Sequence, residues 1–251
     1  MKALCFTLKG KTAFFKKPEV NSYYYFTYGN IHKIALIGMF GAILGYGGYT
    51  KQYDQSGKKK ALEKGYPEFY EKLSQLKVSI CPNAERGFIE KKIQCFNNSV
   101  GYASKELGGN LIVKEQWLEE PSWNICVLLN CEEADKLAEA MINHKCVYIP
   151  YLGKNDHFAD ILNVHIEEVQ EQKSGEGKIC SLFIKEKAEI VLRKSLRGKT
   201  GMTYKYQENL PYDMDEWTNN YILRSFIYTD ADIKWEQQEV YLVEQEVKMF
   251  Y

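Results

Sequence analysis

An α-helix that is apolar around its whole circumference cannot lie on a protein surface; it has to be covered on every side. Residues Ile31 to about Leu44 read as such a helix, with Ile34, Leu36, Ile37, Met39, Phe40 and Ile43 spread round the wheel and Asn30 placed where a side-chain cap belongs. Gly38, Gly41 or Ala42, and Gly45 recur on one face. Such a face is expected to lie very close to a sheet, although each glycine costs about 1 kcal/mol of helix propensity. The run before it, Lys2-Ala-Leu-Cys-Phe-Thr-Leu8, reads as a buried strand ended by Gly10.

The rest of the pattern narrows the fold class. A short amphipathic helix is predicted over Glu68–Leu76 and a strand over Val78–Cys81. Two extended segments, Phe88–Phe96 and Leu111–Trp117, flank a polar tip, Asn97–Asn110, that holds Gly101, Gly108 and Gly109; this reads as a long β-hairpin arm. Trp123-Asn-Ile-Cys-Val-Leu-Leu129 is a strong buried strand. Asn130 is expected to cap the next helix, with Glu133 closing a capping box. Ala134, Leu137, Ala138 and Met141 form one apolar face of that helix. Further strands are predicted at Cys146–Ile149, Val164–Gln170, Ile179–Ile184, Ala188–Leu192, Tyr221–Tyr228 and Val240–Val243. The order matches a β-α-β-β-α-β unit. The expected class is therefore α+β: a ferredoxin-like, RRM-like domain over residues 1–172, a β-hairpin thumb at about 88–118, and a β-rich C-terminal extension over 173–251.

The formal net charge of zero hides an asymmetry. Residues 1–60 carry ten lysines against Glu19 and Asp54, while residues 201–251 carry four basic and ten acidic side chains. A basic front and an acidic back suit a polyanion on one face and a protein partner on another, although solvated faces give the same pattern. The seven cysteines are odd in number and lack C-x-x-C, which suits a reduced cytoplasmic protein with buried thiols. His32, His144, His157 and His165 lack zinc-binding spacing, so no metal and no cofactor are expected. The apolar run Ile34 to Tyr46 is too short to span a bilayer, and the first residues do not read as a signal peptide, so no membrane partner is expected. Gly10-Lys11-Thr12 and Gly198-Lys199-Thr200 invite a P-loop reading, but Cys5 and Arg193 stand where its first glycine is required.

What remains is a concentration of lysines and aromatics: Lys9, Lys11, Phe14, Phe15, Lys16, Lys17, Tyr23, Tyr24, Tyr25, Phe26 and Tyr28. Lysines neutralise phosphates, and aromatic faces stack on splayed bases for about 1–3 kcal/mol each. Asn21, Ser22, Asn30 and His32 supply groups suited to base edges or a 2′-hydroxyl. About half of these aromatics are expected in the core.

Lys9-Gly-Lys-Thr-Ala-Phe-Phe-Lys-Lys-Pro18, Asn21 to Tyr25, Tyr28-Gly-Asn-Ile-His-Lys33 and Ile37-Gly-Met-Phe-Gly-Ala-Ile-Leu-Gly45 together resemble the N-terminus of the Cas-five family of CRISPR-associated RAMP proteins, the type I-B versions most closely. The likeness continues through Asn98-Ser-Val-Gly-Tyr-Ala-Ser104, Gly109-Asn-Leu-Ile-Val-Lys-Glu-Gln-Trp117, Pro121-Ser-Trp123 and Pro150-Tyr-Leu-Gly-Lys154, and is loose in the acidic C-terminal part. It implies a RAMP domain with a thumb, working as a subunit of a type I Cascade surveillance complex in antiviral defence. Such a subunit caps the 5′ handle of the crRNA, contacts the Cascade backbone and large subunits, and meets target DNA only indirectly, through the complex.

On that basis the candidate RNA contacts are Lys16, Lys17, Tyr28, Asn30, His32 and Lys33 near the first helix, and Asn98, Tyr102, Lys105 and Lys114 on the arm. One branch of the family, in type I-C systems, cuts precursor crRNA without metal, using Tyr, Lys and His with a Lys-His pair on its thumb. Here Phe96–Trp117 contains no histidine, so cleavage by that route is not expected. The enzyme alternative is a metal-independent endoribonuclease built on Tyr28, His32 and Lys33, with His32 kept neutral at a helix N-terminus as the base. Among the other histidines, His144 reads as a helix-end residue, His157 as structural or a subunit contact, and His165 as a strand residue.

Overall fold

A computed structural model of the chain describes residues 1–19, 23–52, 65–99, 101–102, 105–107, 109–192 and 201–251. The first part runs β1 (Lys2–Lys9), β2 (Thr12–Ala13), α1 (Lys33–Leu44), α2 (Glu68–Leu73), β3 (Val78–Pro82), β4 (Lys91–Asn97), β5 (Ile112–Glu119), β6 (Ser122–Leu128), α3 (Glu132–Ile142) and β7 (Asp160–Glu168). Four of these strands form a sheet in the order β3-β6-β1-β7, with every neighbouring pair antiparallel. Two β-α-β units thus interleave: β6 lies between β1 and β3, and β1 lies between β6 and β7. This is the ferredoxin-like arrangement. The apolar runs read from the sequence occupy the two central strands, where Cys5 stands opposite Cys126 and Phe6 opposite Ile125.

Helix α1 is buried, as an all-round apolar helix must be. Leu36, Ile37 and Phe40 are fully covered, and the Phe40 ring meets Phe6 of β1 edge-on at 6.2 Å. The glycine stripe does not face the sheet. A Cβ on Gly41 would lie 2.5 Å from Cβ of Phe69, so the close approach is between α1 and α2. Gly45 closes α1 at φ 82°, in the left-handed conformation of a C-cap. Cys146–Ile149 is not a strand: the backbone N–H groups of Val147 and Tyr148 donate to the carbonyls of Ile43 and Ala42, the last-turn acceptors of α1. Nor does the expected capping box form on α3. Cys131 occupies the cap position without a side-chain bond, and the Glu133 carboxylate instead accepts from the Tyr46 hydroxyl and pairs with Lys136 at 3.1 Å.

The C-terminal part adds β8 (Gln170–Glu171), β9 (Ser174–Gly177), β10 (Phe183–Ile184), β11 (Glu189–Val191), β12 (Lys205–Met214), β13 (Tyr221–Thr229), β14 (Asp232–Glu236), β15 (Val240–Val243) and β16 (Glu246–Met249). These make three small sheets, β10-β13-β12, β11-β14-β9 and β16-β15-β8. Strand β12 had no counterpart among the expected strands. Pro211 interrupts its pattern, and the register shifts between Pro211 and Asp213; an edge position in its sheet tolerates this. The chain end turns back to exchange backbone hydrogen bonds between Tyr251 and Val78, and Leu182 donates to Ile80, so both cover the outer edge of β3. Leu182, Ile184, Leu210, Met214, Phe226 and Tyr251 share one hydrophobic core with α1 and the four-stranded sheet. Among the described residues no helix is long and apolar enough to cross a membrane.

Candidate nucleic-acid interface

Strands β4 and β5 form the expected arm, paired from Lys91 opposite Leu118 to Asn97 opposite Ile112. The other side of β5 is occupied by the basic, aromatic segment from the front of the chain. Thr12 and Ala13 pair with Glu119 and Leu118. The segment then doubles back on itself: Lys17 donates to Phe26 and Tyr28 to Phe15 through their backbones. That return sets Tyr25 beside β5, where its N–H donates to Lys114 at 2.9 Å and its carbonyl accepts from Gln116 at 2.9 Å.

The result is a ridge in which cations and rings alternate. The Lys114 ammonium donates to the Tyr23 hydroxyl at 2.8 Å and stands 4.3 Å from the Tyr23 ring centre and 5.2 Å from that of Tyr24. Lys16 stands 4.3 Å from the centre of Tyr25. The hydrogen bond it donates to Tyr23 raises the Lys114 pKa, so this cation is held charged. Tyr23 is 71% exposed and Phe26 is partly exposed, so ring faces remain available to a stacking ligand. Asn98, Tyr102 and Lys105 are exposed at the tip of the arm, with Tyr102 exposed to 78%. Asn21 and Ser22 lie outside the described residues.

The residues around the start of α1 are of a different kind: the four expected contacts there, Tyr28, Asn30, His32 and Lys33, are all buried. Asn30 is fully buried: its side-chain carbonyl accepts from the Trp123 indole at 2.9 Å, and its amide donates to the Gly87 carbonyl at 3.1 Å. It is a bridge inside the protein and not the helix cap. The cap is His32, whose Nδ1 accepts from the Ala35 backbone N–H at 3.2 Å. His32 is 3% exposed and surrounded by the rings of Phe15, Tyr28 and Tyr221; burial pulls its pKa down to about 3, so it is neutral at physiological pH. Tyr28 is buried too, and burial raises its pKa. Lys33 is 7% exposed, stands 5.2 Å from the Tyr212 ring centre, and is pulled down to about 8 by burial and then by Lys77. The Asn30, Tyr28, His32 and Lys33 side chains are thus largely covered, with His32 at the edge of a cleft beside α1 and Lys33 at a groove with Tyr212 and Asp213. In a Tyr28–His32–Lys33 set the imidazole is neutral and buried, with its Nδ1 engaged by the Ala35 N–H.

Lys17 is half-way between the two groups. It forms an ion pair at 3.0 Å with Glu208 of β12, which also accepts from the Gly29 N–H and, at 2.6 Å, from the Tyr206 hydroxyl. Nothing in the local pattern around either residue announces this pairing. Lys154 likewise reaches the buried Glu115 of β5 at 3.4 Å, beneath the arm. His157 is buried against Trp117, and its Nδ1 is hydrogen-bonded to Thr12 Oγ1 at 2.6 Å, as a structural residue would be. His165 sits in β7 as expected; with Glu167 and Glu244 it makes the one group of metal-ligand atoms found close together among the described residues. Its Nε2 is 2.8 Å from Glu244 and its Nδ1 2.7 Å from the Asn163 carbonyl.

No protein-family model matches the sequence, and no curated protein matches it. Solved structures do share its fold. A chain of a structure described as a "CRISPR RNA-guided surveillance complex" aligns with a TM-score of 0.54 at 14% identity, covering 91% of this chain and 90% of that one. A CRISPR protein from Archaeoglobus fulgidus aligns with a TM-score of 0.50 at 11% identity, covering 99% of this chain and 98% of that one. At these identities the likeness is one of fold, and it extends over nearly the whole chain, the C-terminal extension included.

Proposed function

We propose that this chain is the crRNA-binding subunit of a type I, I-B-like CRISPR effector complex, and that it holds the 5′ handle of the crRNA without cutting it. The observation that carries this reading is the ridge along the arm, where Lys16, Tyr25, Tyr23 and Lys114 alternate charge with π-face over one continuous surface. Lysines set beside aromatic rings neutralise phosphates while the rings receive unstacked bases. Tyr102, Lys105 and Asn98 extend the same chemistry to the tip. The two fold relatives, one from an RNA-guided surveillance complex, support the setting. The backbone and large subunits of the complex are the expected protein partners, and target DNA is met only through them.

The test uses the purified full chain, end-labelled precursor repeat RNA and EDTA, with a gel shift and a denaturing gel on the same samples at two salt concentrations. Binding that weakens with salt, is lost in a Lys16→Glu, Lys114→Glu variant, and leaves the RNA intact is the expected result. Specific cleavage in EDTA, abolished by His32→Ala, would replace this reading with a ribonuclease. Unchanged RNA binding after the charge reversals would leave a scaffold that does not touch RNA through the ridge.

A further inference from the structure

Beside the ridge lies a cleft of about 610 Å³, lined in part by Lys16 and His32 from the expected contacts. This is within the roughly 300–1,000 Å³ range of small-ligand sites. On α1 it is lined by Ala35, Gly38 and Ala42, which recur on one helix face, and by Ile34 and Met39 to either side. Gly38 is not needed for packing: a Cβ there would meet its nearest neighbour, Phe69, only at 3.8 Å. The stripe of small residues therefore opens a space as well as permitting a close approach elsewhere.

Tyr49, Tyr148, Tyr151 and Tyr221 also line the cleft, and the first three are exposed, with Tyr148 at 57% and Tyr151 at 44%. Lys16 and Lys51 line it as well. Lys16 belongs at once to the cleft and to the ridge, where it lies over Tyr25. A second groove shares Lys16, Tyr49 and Tyr221 with the cleft and continues past Asn219, whose side-chain carbonyl is buried without a hydrogen-bond partner. An apolar slot walled by aromatics, with ammonium groups beside it, matches one ligand class well. A nucleobase supplies a flat π-face, N–H donors and an attached phosphate.

We infer that this cleft captures one unstacked nucleobase of the strand that runs along the ridge, with Lys16 and Lys51 holding its flanking phosphates. The inference rests on the RNA-binding reading above and deepens it, since it separates a base-holding site from the phosphate-neutralising ridge.

The experiment compares the full-length protein with a Tyr148→Ala, Tyr151→Ala variant and with a Gly38→Leu variant that fills the cleft from its α1 wall. The probe is a short single-stranded RNA carrying 2-aminopurine, with an abasic analogue as control. Both variants should bind about 5- to 100-fold more weakly, the cost of losing one stacked base, with an unchanged slope of log affinity against log salt. They should also lose the fluorescence change that marks base capture, and the abasic RNA should bind wild type and variants alike. If the cleft variants bind RNA as the wild type does while Lys16→Glu, Lys114→Glu weakens binding, the ridge reading stands and the cleft inference is overturned. Variants that keep RNA affinity but no longer assemble with the other subunits would make this a protein-docking groove and overturn it equally. Absence of any salt-sensitive binding by the wild type would remove the RNA-binding reading itself, and the cleft inference with it. The tyrosine pair is exposed, so its variant tests the inference even if Gly38→Leu fails to fold.

Discussion

Glu208 holds the basic front and the C-terminal extension together, and replacing it by glutamine separates two effects that usually travel in the same direction. The carboxylate accepts from Lys17 Nζ at 3.0 Å, from the Gly29 N–H at 3.1 and 2.9 Å, and from the Tyr206 hydroxyl at 2.6 Å, with its own side chain 13% exposed. Hydrogen bonds to a charged group are worth about 1.5–3 kcal/mol each. Glutamine keeps one acceptor oxygen for the Gly29 N–H and turns an N–H₂ group toward donors. The Lys17 side chain is 26% exposed, so solvent recovers part of what it loses. A net destabilisation of about 2–3 kcal/mol follows, which for a chain of this size lowers Tm by about 5–10 °C. Lys17→Gln leaves the Gly29 and Tyr206 bonds in place and should cost about 1 kcal/mol or less.

The same Glu208→Gln change releases one cation beside the ridge. On single-stranded RNA each added phosphate contact steepens the slope of log affinity against log salt by about 0.7, or about fivefold in affinity between 1 M and 0.1 M salt. The less stable variant is therefore expected to be the tighter RNA binder at low salt. Thermal unfolding by circular dichroism and fluorescence anisotropy across a salt series measure the two effects. A variant as stable as the wild type would refute the assignment of Glu208 as the clasp. A destabilised variant with an unchanged salt slope would refute the placement of Lys17 on the RNA-facing side.

Three further outcomes follow from the buried groups. His32 titrates near its ordinary 6.5 when unfolded but only at about 3 when folded, so the unfolded state takes up the proton first. Its contribution is intact above pH 6.5 and is lost as pH falls, about 2 kcal/mol by pH 5; urea unfolding at pH 7 and pH 5 should show that loss in wild type and not in His32→Asn, which keeps a cap acceptor. Asn30→Ala leaves the Trp123 indole N–H and the Gly87 carbonyl buried without partners and should cost about 2–4 kcal/mol by denaturant titration, with RNA affinity unchanged while the protein stays folded. Gly38→Ala should stabilise by about 0.5–1 kcal/mol because its Cβ has room, whereas Gly41→Ala should destabilise by about 1–2 kcal/mol because its Cβ collides with Phe69; equal effects on Tm would refute the assignment of that close contact to Gly41.

The parts of this molecule legible in the sequence are those whose signal is short-ranged. The alternation and apolar runs of Lys2–Leu8 and Trp123–Leu129 place β1 and β6 at the centre of a sheet, and the all-round apolar pattern of Ile31–Leu44 places α1 beneath it. Once those three are placed, the ferredoxin-like strand order has few alternatives. The hairpin arm was legible for the same reason. What failed were statements about which local donor meets which local acceptor. Asn30 stands at a plausible cap position, yet Trp123, 93 residues away, takes its carbonyl, and the capping role falls to His32. Glu133 fits a capping box, yet Tyr46 takes its carboxylate. A cap is worth about 1 kcal/mol, and a buried indole N–H left unpaired costs about as much or more, so the tertiary partner wins.

The candidate interface divides along the same line. Composition could say that the front of the chain is rich in lysine and tyrosine, but not which members reach solvent. That choice is made by β5, whose edge takes up Tyr25 and so turns Lys16, Tyr23 and Lys114 outward, while Tyr28, His32 and Lys33 are carried under the extension with α1. The acidic C-terminal part looked like a separate surface for partners. Instead it sends Glu208 into the front at a sequence separation of 179 residues from Gly29 and 191 from Lys17, where it pairs with that lysine. Under the proposed function, Glu208 thus offsets one of the lysines counted over residues 1–60, and Lys16 and Lys114 present charge beside the Tyr23 and Tyr25 rings. A surface of that kind favours a single strand following one track over a duplex lying across a broad basic face.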